Sequence, residues 1–556
     1  NTFHRIPDRV YLLYMSSHSG KTVPKSKHDA EQNLVINGSE LSVKDVALFV
    51  HAPRARIELA ESVQSAVASS RRFLMDEIEK RIIYGVNTGF GPMASYVIPK
   101  QQLIQLQENL IRSHAVGIGK PLPAEFVLAA MIVRLNTLAK GYSGVTPELL
   151  KQISHFINNR VIPIVPEHGA VGTSGDLVQL AHIALALKGE GTVQYRMKTM
   201  PAADALKLLR LSPYIFREKE GLSVINGTSM MSGIASLICF EVERIIILAV
   251  RFGAFALELA HGFNDSTSEK LHRLRPHRGQ LVIARSLRDI LASSHMRRSR
   301  RHMKVVNGEN GEVSEQVEKI SETVQEIYSF RCIPQILGPL FDAWERATRI
   351  VEIEINAVSD NPIVDWENKS FIHGGNFHGD YIGYAVDQLK IPLVKLSLMS
   401  ERRINFFLNS NVNKFFPPFM NLAKPGLTLG LQGLQFVATS TAAQNQTYAF
   451  PHSVHSISTN ADNQDVVSMG TDAALFAWNI VENTYIILAI ELITLAQAVD
   501  FLGAEQKLSA SSQIMYADIR HVCKKIENDR VLTDDVQNVA QFIRNHFMLD
   551  KPWLKL

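Results

Sequence analysis

Cysteine is scarce. Cys239, Cys332 and Cys523 are three in 556 residues, far apart and with no CxxC pair. That excludes a disulfide framework and favours a reducing, cytoplasmic setting. Charge of one sign is lacking too: 58 basic residues face 54 acidic ones, a net +4. Nothing in that balance calls for nucleic acid or an anionic membrane as partner. Uninterrupted apolar runs are also missing. The two most apolar stretches are Met231 to Phe263 and Ala473 to Leu502. The first is broken by Glu241, Glu243, Arg244, Arg251 and Glu258, the second by Glu482, Glu491 and Asp500. Each such charge costs about 2.5–3.5 kcal/mol at bilayer depth, so core helices of a bundle explain these stretches better than membrane spans. Regular repeats and strand–helix alternation are absent.

What remains is ordinary globular composition, 46% hydrophobic and 20% charged, on a chain longer than one common core supports. The first residue is Asn, which puts the initiator outside this stretch or at Met15, and Val10 to Met15 is too short for an export signal. Residues 16–33 are polar and aperiodic, so 1–33 is expected to be a flexible leader. Apolar residues then recur at three and four, predicting helices over Val43 to Val50 (capped by Ser42), Ile57 to Tyr84, Gln101 to Val116, Ala124 to Lys140, Pro147 to Asn158 and Leu177 to Leu187. The same spacing predicts Thr228 to His261, Val313 to Tyr328, Leu340 to Asn356, Gly379 to Leu408, Leu429 to Tyr448 and Val466 to Leu502. Short β pieces fit Leu34 to Ile36 and Thr192 to Tyr195. The fold class is mostly α. It divides into a lobe over 34–230, a central helical bundle over 231–503 and a polar helical tail over 504–556. The basic, then Gly- and Asn-rich, segment Arg297 to Gly311 reads as a solvated loop.

Several tempting motifs fail. His18 to Thr22 ends like a phosphate-binding loop, but Met15 stands where its first glycine belongs. Gly169, Gly172 and Gly175 are spaced three apart, which is not the dinucleotide pattern. The 19 histidines include no H-E-x-x-H, and no carboxylate or cysteine close in sequence completes a zinc set with His452 and His455, so no metal is expected.

One motif holds. Gly169-Ala170-Val171-Gly172-Thr173-Ser174-Gly175-Asp176 precedes a helical stretch. A Ser-Gly-Asp sequence alone is more often a helix cap, with Ser174 or Asp176 as the capping residue. This one can also cyclise. The Gly175 amide nitrogen attacks the Thr173 carbonyl carbon, two waters leave, and Ser174 becomes a methylidene conjugated to a carbonyl. Glycine permits the bend, and the following helix start favours charge developing on the ring oxygen. Two other segments supply matching chemistry. Tyr84-Gly85-Val86-Asn87-Thr88-Gly89 can present a phenol on a close-approaching loop. Arg331, expected just after an amphipathic helix, suits bidentate capture of a carboxylate.

Together these motifs resemble the aromatic amino acid and histidine ammonia-lyases, whose cofactor is 4-methylidene-imidazol-5-one (MIO). The resemblance runs over roughly residues 34–545. It includes Gly221 to Ser229, Ser359-Asp360-Asn361-Pro362, Gly375 to Gly379 and Asn463-Gln464-Asp465. Within the family the chain looks most like bacterial tyrosine ammonia-lyases, through IYGVNTGFGPM, NLIRSH and GGNFHGDYI. The resemblance implies a fumarase/aspartase-like superfold, with the MIO loop in the N-terminal lobe and each active site of a homotetramer drawing on three subunits. It implies MIO formed from Thr173, Ser174 and Gly175 without a metal, and an amino acid as the small-molecule substrate. Tyr84 would take the β-proton. A phenol is a poor base near neutrality, so nearby cations or a helix end must assist it. Asn226 would hydrogen-bond the ring oxygen, Tyr328 would handle the amine or its protons, and Arg331 would hold the substrate carboxylate. Gln325 and Phe377 would line the pocket. The amine would add to the methylidene carbon and leave as ammonia, giving an α,β-unsaturated acid.

The sequence departs from the family pattern at Thr173, where alanine is usual; some aminomutases of the family share that variant. Gln444 stands where many relatives carry a glutamate near the substrate amine, which lowers the histidine expectation. His114 occupies the ring-selectivity position. It can hydrogen-bond a phenol or an imidazole, and it would be left unpaired by phenylalanine at a cost of about 1–3 kcal/mol if buried. The leading expectation is therefore tyrosine to p-coumarate, with histidine to urocanate or an aromatic 2,3-aminomutase as alternatives.

Overall fold

The structure, a computed structural model, describes residues 33–303, 317 and 323–546. The leader before Asn33, the His18 to Thr22 segment, the Gly- and Asn-rich end of the basic loop and most of the helix expected from Val313 lie outside the described residues.

Five long helices form the centre: Ser229–Leu259, Ile333–Ile355, Asp380–Leu408, Gln432–Tyr448 and Gly470–Leu502. Nearly every residue of Ser229–Leu259 is buried. A helix apolar on all sides needs neighbours on all sides. Ser229–Leu259 meets Ala124–Ala139, Ile333–Ile355 and Gly470–Leu502, and the last of these also packs on Asp380–Leu408 and Gln432–Tyr448. One apolar core runs from Ile36 to Ile543, and a smaller cluster including Leu74, Ile83, Val86 and Leu103 anchors the segment around Tyr84.

Among the described residues one helix, Gly470–Leu502, is long and apolar enough to cross a bilayer, and 78% of its most apolar window is buried inside the protein. The charges on these helices meet partners. Glu491 pairs with Arg403, Glu482 with Arg544 and Asp500 with Arg520. Glu241 accepts from the Tyr485 hydroxyl, and Glu258 from the Ser509 amide and the Ser512 hydroxyl.

Most helix expectations agree with the structure within a few residues, and two agree throughout: Pro147–Asn158 and Leu177–Leu187. Ser42 caps Val43–His51, its hydroxyl accepting from the Asp45 amide while Asp45 returns a bond to the Ser42 amide. The stretch Ile57 to Tyr84 differs. It begins as strand Ile57–Leu59, pairs in parallel with Leu34–Ile36, becomes helix Glu61–Glu77 and ends in turns through Tyr84. The distant edge offered by Leu34–Ile36 outweighs a local helical period. The helix expected from Leu340 starts earlier, at Ile333: Pro334 suits the first turn, and the interior Pro339 disguises the start in sequence. Arg331 does not follow a long helix within the described residues. It ends a single turn, Tyr328–Arg331, directly before Ile333–Ile355. Among the described residues the strands form four small sheets, and Leu34–Ile36 and Thr192–Tyr195 are both strands. The tail holds helices Ala510–Val522 and Thr533–His546.

Candidate active site

The Thr173-Ser174-Gly175 turn lies between strand Pro166–His168 and helix Leu177–Leu187. Gly175 sits at φ +71°, and a Cβ there would fall 2.0 Å from the Gly227 carbonyl oxygen. Only glycine meets both demands. Gly175 and Gly227 form a parallel bridge, and the Asp176 amide donates to the Gly227 carbonyl at 2.8 Å.

Asp176 occupies the N-cap position of Leu177–Leu187, yet its side chain makes no cap bond to that helix. Its carboxylate instead accepts from the Met230 and Met231 amides at 3.0 and 2.9 Å and from the Thr471 hydroxyl at 2.6 Å. One buried side chain thus ties the starts of Ser229–Leu259 and Gly470–Leu502 to the turn. Burial pushes its carboxyl up to about 6, against the pull of those donors and of Arg134. Three helix N-termini converge at the turn, each a source of positive potential.

Polar contacts on the turn are specific. The Ser174 carbonyl oxygen accepts from Asn226 Nδ2 at 2.8 Å and from the Gly227 amide at 3.2 Å. The Asn226 side chain is itself oriented, because its Oδ1 accepts from the Asn361 amide at 2.8 Å. Gln464 Nε2 donates to the Ser174 hydroxyl at 2.8 Å, while the Thr173 hydroxyl donates to Gln464 Oε1 at 2.9 Å. Gln464 was not among the expected site residues, although the Asn463-Gln464-Asp465 motif that contains it was legible.

A cavity of about 1070 Å³ opens over the turn, and Tyr84, His114, Thr173, Ser174, Gly175, Asn226 and Phe377 all line it. The Tyr84 hydroxyl oxygen accepts from the Gly91 amide at 3.1 Å. Where cations or a helix end were expected to assist this phenol, the contact supplied is a backbone N–H. His114 Nδ1 lies 2.9 Å from the Leu110 carbonyl, which can only accept. Nδ1 therefore carries the proton, and Nε2 of the neutral ring is an acceptor.

The other expected residues are not brought to this cavity by their own chain. Gln325 and Tyr328 are exposed, and Arg331 stacks its guanidinium 4.6 Å from the Tyr328 ring centre. Gln444 lies exposed on Gln432–Tyr448, its Oε1 accepting from Asn483 Nδ2 at 3.0 Å. His452, paired with His455 in sequence, meets the carboxylate of Asp472 at 3.5 Å. Among the described residues no three of His, Cys, Asp and Glu gather in a metal-binding group.

In this helical bundle helix starts converge on a Ser-Gly turn, with two N–H donors on the serine carbonyl. The aromatic amino acid lyase family model matches residues 41–521, and the chain belongs to that MIO-dependent family of carbon–nitrogen lyases. A relative from Geobacillus sp. (strain WCH70), named histidine ammonia-lyase, is 37% identical over 92% of this chain and 96% of its own. The solved tyrosine aminomutase from Streptomyces globisporus is 34% identical with TM-score 0.88, covering 92% of this chain and 97% of that one. Histidine ammonia-lyase from Trypanosoma cruzi is 31% identical with TM-score 0.82, covering 92% and 93%.

Proposed function

We propose that Thr173-Ser174-Gly175 closes into MIO and that the enzyme releases ammonia from an L-amino acid with an imidazole or aromatic ring, L-histidine to urocanate foremost. The observation that carries this reading is the pair of N–H donors, Asn226 Nδ2 and the Gly227 amide, on the Ser174 carbonyl. That carbonyl is the one conjugated with the double bond the cyclisation creates. Donors there draw electron density from it, as an oxyanion hole does. MIO supplies an electrophilic carbon, derived from Ser174 Cβ, to the substrate amine. The residues fit such a ring: Gly175 already holds the left-handed turn, and Gln464 donates to the hydroxyl that must leave as water. Tyr84 removes the β-proton as its phenolate and becomes a neutral phenol, and the Gly91 amide stabilises the negative oxygen that acts as the base.

Histidine takes precedence over the tyrosine expectation. The short motifs pointed to tyrosine, whereas relatives alike along most of the chain carry the name histidine ammonia-lyase. Arg331, Tyr328, Gln325 and Gln444 act in this reading from neighbouring subunits of a homotetramer, each active site being completed across the interface. The Nε atom of Arg331 is buried without a hydrogen-bond partner among the described residues. Three free cysteines, two of them buried, suit a reducing cytoplasm.

Purified enzyme offered histidine, tyrosine and phenylalanine separately, with urocanate, p-coumarate and cinnamate followed by ultraviolet absorbance, decides the substrate. Failure to turn over histidine removes the leading assignment. Mixing inactive Ser174→Ala with inactive Arg331→Ala subunits should restore part of the activity; no recovery would place Arg331 outside a shared site. A second reading, tyrosine as substrate of a lyase or aminomutase, is favoured by His114. Its acceptor Nε2 suits a phenol O–H, and a β-amino acid product would mark the aminomutase outcome. Under that reading His114→Phe should shift preference from tyrosine to phenylalanine by about 5- to 150-fold, the kinetic equivalent of about 1–3 kcal/mol.

A further inference from the structure

Arg134 lies on Ala124–Ala139, a helix of the core, and none of its atoms belongs to the cavity wall. It is 2% exposed. Its Nη1 donates to the Asn226 carbonyl oxygen at 2.8 Å. That carbonyl belongs to the same peptide group as the Gly227 amide, which donates to the Ser174 carbonyl at 3.2 Å. One peptide unit thus stands between a buried guanidinium and the carbonyl on which the chemistry depends. The stack is tight: a Cβ on Gly227 would fall 2.1 Å from Arg134 Nη1, and one on Gly175 2.0 Å from the Gly227 carbonyl oxygen. Two glycines are required for the layers to approach this closely. Among the described residues the remaining guanidinium donors, Nε and Nη2, have no hydrogen-bond partner, and the nearby Asp360 is engaged by Lys219 at 3.0 Å.

We propose that Arg134 is a positioning residue for the reaction, acting through the Asn226–Gly227 peptide to polarise the Ser174 carbonyl. A donor on a peptide oxygen makes that peptide's N–H a stronger donor in turn, and in a buried site the effect is not screened by water. The same contact fixes where the Asn226 side chain begins, and so where its Nδ2 points. Arg134 holds no substrate and transfers no proton. Its charge raises the electrophilicity of the carbon derived from Ser174, and by making the Ser174 Cα–H more acidic it assists the loss of water that creates the double bond.

The proposal rests on the MIO reading, and the experiment separates the two. Intact mass of the parent enzyme comes first: a deficit of two waters at 173–175 must be present, and its absence removes the MIO reading itself. Arg134→Met keeps the length without an N–H donor, while Arg134→Lys keeps a cation and a donor. For each variant the water deficit, the rate at which borohydride quenches the ring's ultraviolet absorption, and kcat and KM are measured beside the thermal melt. Arg134→Met should fold, form the ring incompletely or slowly, and quench about tenfold more slowly, with kcat reduced about tenfold and KM nearly unchanged. Arg134→Lys should recover part of both rates. A folded Arg134→Met with parental quenching and kcat overturns the proposal. So does failure of both variants to fold, which would assign Arg134 to the fold alone.

Discussion

In the bundle, buried charges such as Arg403 and Glu491 face one another between helices and line no part of the cavity. At the Ser174 turn the polar groups meet backbone atoms and hydroxyls instead: Asp176 on two amides and a threonine, Asn226 on a carbonyl, Gln464 on a serine. Arg403 and Glu491 bond to each other, a kind of buried pair that apolar side chains of similar size can often replace. The contacts at the turn fix a strained backbone and leave one carbonyl deliberately exposed to donors. The first arrangement serves packing, where volume matters most. The second serves geometry, where a single added methyl group cannot be absorbed.

The largest effect should come from adding that methyl. Gly175→Ala places a Cβ against the Gly227 carbonyl at a positive φ, so the turn cannot keep its bridge. Turnover should vanish and intact mass should show both waters retained, while the bundle keeps its helix content by circular dichroism. Parental turnover would break the contrast between turn and bundle.

Next is the Arg403–Glu491 pair. Glu491→Leu alone strands a buried guanidinium and should cost about 3–5 kcal/mol in denaturant unfolding. The double variant Arg403→Met, Glu491→Leu should recover most of that loss and leave kcat within a factor of two. A double variant no better than the single one would show that this pair, too, is held for geometry.

Asp176 gives a smaller, pH-dependent effect. Burial raises its carboxyl from 3.8 to about 6, so the folded protein binds that proton more tightly than the unfolded chain. Its contribution to stability is therefore greatest below pH 3.8 and falls as pH rises through about 6, by about 3 kcal/mol in total. Unfolding free energies from pH 4 to 7 should decline less steeply in Asp176→Asn than in the parent. Equal slopes would place the titration elsewhere.

The smallest effect belongs to a helix end remote from both regions. Ser42→Ala removes a capping box and should cost about 1 kcal/mol with activity unchanged.

Much of the fold was legible because helices declare themselves locally. Thr146 before Pro147 marks a start, and the hydroxyl accepts from the Leu149 amide as the pattern requires. Ile57 to Tyr84 was not legible as it stands, since its strand depends on an edge more than twenty residues earlier. At the site, the tripeptide, Tyr84, His114, Asn226 and Phe377 were all recognisable and share one cavity. Arg134 was hidden within an apolar helical period, where a lone arginine reads as a surface charge. Of the two capping candidates, Ser174 and Asp176, the second takes the N-cap position, but its side chain ties down two other helices.

By itself the amino-acid order determined which segments coil and that a Thr-Ser-Gly sequence able to cyclise was present, because helix formation and the tripeptide's reactivity depend on neighbours along the chain. Only the tertiary structure decided what surrounds Ser174. Its carbonyl and hydroxyl are met by Asn226, 52 positions on, and by Gln464, 290 positions on. No local pattern encodes such meetings. They follow from how three helix starts pack against one buried carboxylate.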